Sequence, residues 1–117
     1  MRGSSLLAAF VVAVGAVTAA AAPAAAQDAA AIKKGQEIYA AQKCSVCHAI
    51  GGQGNKNNPL DGVGKKLNAA DTKQWIVDPV GMTKKVASTK KPPMPARWAK
   101  LPAADLDALV AYMQSLK

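Results

Sequence analysis

The chain has 117 residues, with 15 Lys and Arg against 7 Asp and Glu for a formal charge of +8, and it is 50% hydrophobic but only 4% aromatic. That length holds one small domain. Two cysteines and one histidine are too few for a four-ligand zinc site, and the scarcity of Trp, Tyr and Phe argues against nucleic acid as the target of the basic charge.

The first stretch is a leader. Met1 and Arg2 give a positive start, Leu6 to Ala22 is almost wholly apolar, and Ala24, Ala25 and Ala26 supply the small residues that a signal peptidase needs. We read residues 1–26 as a signal peptide cleaved after Ala26, and residues 27–117 as the mature domain. The competing reading is an uncleaved anchor helix, because the apolar run approaches the length of a membrane span. Cleavage removes one base, Arg2, and no acid, which leaves a formal charge of +7 on a chain of 117 less 26, or 91, residues. A domain that small buries a modest core and often needs a staple such as a metal or a covalent cofactor.

From Asp28 onward, Ile32, Gly35, Ile38 and Tyr39 share one face of a predicted helix, with lysines largely opposite. A glycine inside a helix costs about 1 kcal/mol relative to alanine, and close approach of another helix is the reason we expect for Gly35.

The helix delivers the chain to Cys44, Ser45, Val46, Cys47 and His48, a C-x-x-C-H run. Two thiols at this spacing lie on one turn and can each add to one vinyl group of a haem, with His48 next in line as an axial ligand to the iron. A thioredoxin-like redox pair would need a βαβ pattern around it, and none is visible. Both cysteines are committed to the motif, so no disulfide is expected despite the export signal.

Residues 49–64 are rich in Gly and Asn and contain no run long enough for a helix or strand. No phosphate-binding glycine pattern fits them. Pro59 stands out: a rigid turn there would aim a carbonyl at the free ring N–H of His48. An ordinary loop proline is the alternative.

Asn68 is read as the N-cap of a second helix with Asp71 three residues on, and Asp78-Pro79 ends that helix. Trp75 on this helix is expected against the haem, with its indole N–H seeking a propionate, or else in plain core packing.

A second loop is expected from Val80 to Arg97. With no second histidine, the other axial position must go to Met, Lys, another unusual ligand, water or nothing. Met94 has Pro93 and Pro95 on either side, which stiffens the backbone that would hold a weak thioether ligand. Met82, also placed in this loop, and an open position remain as alternatives. The segment from Leu101 to Lys117 carries the strongest helical signal, with Leu106, Leu109, Val110, Met113 and Leu116 in register. Its natural partner is the Gly35 and Tyr39 face, with Tyr112 near the glycine.

These features in this order resemble a class I cytochrome c: a Gly- and Tyr-bearing helix before C-x-x-C-H, an Asn-Pro-Leu loop, a Trp-containing helix, a Pro-flanked Met and an amphipathic terminal helix. The likeness covers residues 28 to 117. It implies an all-α cytochrome c fold of about three to four helices and long loops around one covalent haem c. Cys44 and Cys47 would be the thioether anchors, His48 and Met94 the axial ligands to iron, Pro59 the support of His48, and the two terminal helices would cross.

The expected function is a periplasmic one-electron carrier rather than an enzyme. Acidic redox partners would dock on a haem edge rimmed by Lys43, Lys56, Lys84, Lys85, Lys90 and Lys91. Loose association with an anionic membrane surface is a further expectation, as is a monomeric state. Two other readings stay open: a haem subunit of a larger oxidoreductase, and a small-ligand-binding protein with a labile sixth ligand.

Overall fold

The structure, a computed structural model, describes residues 15, 16 and 24–117, with side-chain surroundings from Asp28 onward. The signal peptide lies almost wholly outside the described residues. Helix α1 spans Ala24–Ala41, so the described backbone is already helical at the expected cleavage junction.

Along α1 the predicted stripe is the inward one: Gly35 and Ile38 are buried, Ile32 and Tyr39 half-buried, and the flanking lysines exposed. The helix ends as Lys43 turns into the left-handed region (φ 56°), which lets the chain start a fresh, tighter turn at Cys44–Val46.

The segment after His48 departs from expectation. Ala49–Ile50 and Gln53–Gly54 form strands β1 and β2, an antiparallel pair in which Ala49 faces Gly54 and Ile50 faces Gln53. The two residues between them, Gly51 (φ 58°) and Gly52 (φ 79°), both have positive φ, the requirement of a tight hairpin turn. A one-turn helix α2, Val63–Lys66, follows.

Helix α3 is Ala69–Val77, capped as predicted: the Asn68 side-chain oxygen accepts from the Asp71 N–H at 2.7 Å. The expected loop from Val80 is in fact helical at its start. Helix α4 spans Pro79–Lys85, with Asp78 Oδ1 accepting from the Gly81 N–H at 3.0 Å and Pro79 at the first helical position. Proline suits that place because its missing N–H would be unpaired anyway. A 3₁₀ turn, Ala96–Lys100, leads to α5, Ala103–Ser115. The described residues therefore hold five α-helices, two of them short pieces inside what the sequence presents as loops.

Helices α1 and α5 cross as expected. A Cβ on Gly35 would run into the Ala108 carbonyl oxygen and lie 2.6 Å from Tyr112 Cβ, so only glycine permits the approach. Tyr39 and Tyr112 meet edge to face at 5.8 Å, and Lys34 pairs with Asp105 at 2.9 Å. Gln114 ties α5 to α3, donating to the Leu67 carbonyl and to Thr72 Oγ1, each at 3.0 Å. The core cluster is Ile38, Ile76, Trp98, Leu106, Ala108, Leu109, Val110 and Met113.

Candidate haem site

The core does not close on itself. Ile76, Trp98, Leu109 and Met113 line a cavity of about 380 Å³ together with Cys44, His48, Trp75 and Met94. That volume lies in the ordinary range of ligand sites, roughly 300–1,000 Å³. A second cavity of about 310 Å³ shares Cys44, His48, Met94 and Trp98 with the first, and adds Cys47, Lys43 and Arg97. The sequence-predicted residues Cys44, Cys47, His48, Met94 and Trp75 thus converge on one connected region. Pro59 does not: it is exposed and lines neither cavity.

The Cys44-to-His48 turn is held by its own backbone. Cys47 and His48 N–H groups both donate to the Cys44 carbonyl, at 3.1 and 2.9 Å. From outside the turn, the Asn55 N–H donates to the Ser45 and His48 carbonyls at 3.0 Å, and its side-chain amide donates to the Val46 carbonyl at 3.2 Å. Gly54 (φ 104°) delivers Asn55, and a Cβ there would collide with the His48 carbonyl oxygen. The Tyr39 hydroxyl reaches that same carbonyl at 3.5 Å. Burial first, then the neighbouring Cys44, pushes the Tyr39 pKa up to about 12, so the hydroxyl stays a donor.

His48 Nδ1 lies 3.2 Å from the Asn58 carbonyl oxygen. A carbonyl only accepts, so Nδ1 carries the proton and Nε2 keeps the lone pair that a metal needs. Burial holds the His48 pKa below the ordinary imidazole value, with the Asn58 carbonyl opposing that shift and Lys90 adding to it. The ring is therefore neutral at neutral pH, the ligand-competent state. Burial also raises the Cys44 thiol. The carbonyl aimed at His48 is thus the one expected from the turn at Pro59, but it belongs to the residue before the proline. Pro59 itself forms a parallel bridge with Ala49, next to His48, which braces the turn from behind.

Met82 lies on α4, buried at 6% exposure, and lines neither cavity, so of the two candidate methionines only Met94 faces the site. Trp75 is half-buried at the cavity wall. The residue that sequence reasoning passed over is Trp98. It is buried, lines both cavities, donates its indole N–H to Gln42 Oε1 at 3.1 Å, and carries the Arg97 guanidinium 4.4 Å above its ring. A single large aromatic in a strongly cationic stretch was the available signal.

Residues 32–117 match the family model for cytochrome c. The chain belongs to the cytochrome c family. Comparison with curated proteins gives no match, and neither does comparison with solved structures. Membership brings with it one covalent haem c, its iron, and a role in electron transfer. The residues present fit that group: paired thiols on one turn, an imidazole with a free Nε2, and an apolar cavity beside them that also takes in a thioether. The all-α architecture agrees with the family fold.

Proposed function

We propose that this cytochrome is an exported, monomeric one-electron carrier whose haem is anchored by Cys44 and Cys47 and takes His48 and Met94 as axial ligands. When bound, the iron supplies reversible exchange of a single electron between its ferric and ferrous states. The chain's part is to hold that centre rigid and partly dry. Asn58 orients the imidazole, Asn55 and Tyr39 hold the turn that carries it, and Pro93 and Pro95 stiffen the backbone around Met94. Rigid ligation keeps the reorganisation between oxidation states small, as a carrier requires.

The observation that carries this reading is the shared cavity of Cys44, His48 and Met94, with Met82 buried elsewhere. Among the described residues no helix is long and apolar enough to cross a membrane, and the leader at residues 1–26 supports delivery to the periplasm.

The test is the visible spectrum of the oxidised, haem-matured protein. A weak red sulfur-to-iron charge-transfer band should be present, should vanish in Met94→Ala and should survive in Met82→Ala. A high-spin spectrum without that band in the parent protein would instead make ligand binding or catalysis the working reading.

A further inference from the structure

Met94 sits in a segment with little of its own to hold it. Among the described residues from Val86 to Lys100, Trp98 alone is buried, while Lys90, Lys91, Pro92, Pro93, Pro95 and Arg97 are exposed. The stretch has no regular structure until the 3₁₀ turn at Ala96–Lys100. Half-buried Met94 packs against the core, and the one fully buried side chain that anchors the segment is Trp98, four residues beyond it.

The anchor point of that side chain is equally specific. Trp98 Nε1 donates to Gln42 Oε1 at 3.1 Å, a contact between residues 56 apart in the chain. Gln42 stands two residues before Cys44, at the junction where α1 ends and the haem-attachment turn begins. The bond therefore ties the Met94 segment directly to the backbone that carries the thiols and His48. The Arg97 guanidinium lies 4.4 Å over the ring. A cation over an aromatic face is attracted by the ring quadrupole, so the stack and the hydrogen bond hold the same ring in one orientation.

We propose that the Gln42–Trp98 pair is a latch that sets how readily Met94 leaves the iron. The proposal rests on the reading of Met94 as the second axial ligand. A thioether is a weak ligand, held as much by the placement of its loop as by its bond, so loosening the one buried tether lowers the cost of swinging Met94 away. Gln42 and Trp98 act through Met94 and are positioning residues, without contact to iron.

The experiment uses the full haem-bearing protein in its ferric form and follows displacement of the sixth ligand by cyanide, together with the red charge-transfer band. Gln42→Leu leaves the indole N–H without an acceptor and should speed displacement about tenfold, the factor that one ordinary hydrogen bond can control. Gln42→Glu keeps an acceptor oxygen for the indole N–H and should return the rate toward the parent value. Asn68→Ala removes the α3 cap, far along the chain from the latch, and serves as a variant of lowered global stability whose displacement rate should stay unchanged.

If Gln42→Leu fails to accumulate, Trp98→Phe removes the same N–H while keeping an aromatic ring, and is read in the same way. A displacement rate in Gln42→Leu and Trp98→Phe no faster than in Asn68→Ala overturns the latch. Failure of the underlying ligation reading looks different: the parent protein would then lack the red band and Met94→Ala would leave its spectrum unaltered.

Discussion

Met82 and Met94 carry the same thioether in opposite surroundings, and their substitutions should separate cleanly. Met82 is sealed in α4 among side chains, so Met82→Ala leaves a void and should cost about 2–5 kcal/mol of stability with the charge-transfer band intact. Met94 is half-buried at a cavity wall, so its truncation should remove the band. Denaturant unfolding and the visible spectrum, recorded on both variants, check the pair; a band lost in Met82→Ala would reverse the assignment. At this scale the sequence was informative wherever the chemistry is local. Cys44, Cys47 and His48 lie within one turn, and their spacing alone states what they can hold. The Asn58 carbonyl was legible only as a carbonyl near Pro59, because which backbone oxygen points inward depends on the turn. The Gln42–Trp98 bond was not legible, since no periodicity links two side chains on separate segments.

Helices α1 and α5 form the element on which the fold depends, and Gly35 is where that dependence can be measured. Gly35→Ala gains about 1 kcal/mol of helix propensity. Against this stands a Cβ driven into the Ala108 backbone, which cannot turn aside as a side chain would. Overpacking costs about 1–3 kcal/mol when side chains can adjust, and a backbone collision belongs at or beyond the upper end. The net loss should be about 2 kcal/mol, seen as a Tm lower by about 10 °C in a domain of this size. Gln36→Ala, exposed on the same helix, should move Tm little, and equal effects at both positions would mean that the crossing is looser than the geometry states. The crossing was readable because both faces repeat at helical spacing. The short elements were missed for a physical reason: β1, β2 and α4 are each too brief to show a period. What specifies them is end chemistry, the Gly51-Gly52 turn and the Asp78-Pro79 cap, rather than a hydrophobic stripe.

Over the whole molecule, charge is sorted. Residues 79–104 contain Lys84, Lys85, Lys90, Lys91, Arg97 and Lys100 and no acid. Five of the seven acids are occupied within the protein: Asp71, Asp105 and Asp107 pair with Lys85, Lys34 and Lys73, Asp78 caps α4, and Asp61 accepts from the Gly51 N–H at 2.8 Å. Lys85 is therefore already paired, whereas Lys90 lines the first cavity and Lys43 and Arg97 the second, so these cations stand at the candidate haem site. On the proposed carrier reading, the field of this face should draw anions toward the site. Oxidation of the reduced protein by ferricyanide should then slow by roughly tenfold as ionic strength rises from millimolar levels to the point where the Debye length falls to a few ångströms. A cationic cobalt oxidant should show the opposite slope. Exchanging Lys90 and Lys91 together for Gln should flatten both responses, while exchanging Lys65 and Lys66 on α2, which line neither cavity, should leave them largely intact. Equal flattening by the two pairs would mean that only net charge matters and that no face is specialised for docking. A flat salt response in the parent protein would remove electrostatic steering from the mechanism altogether.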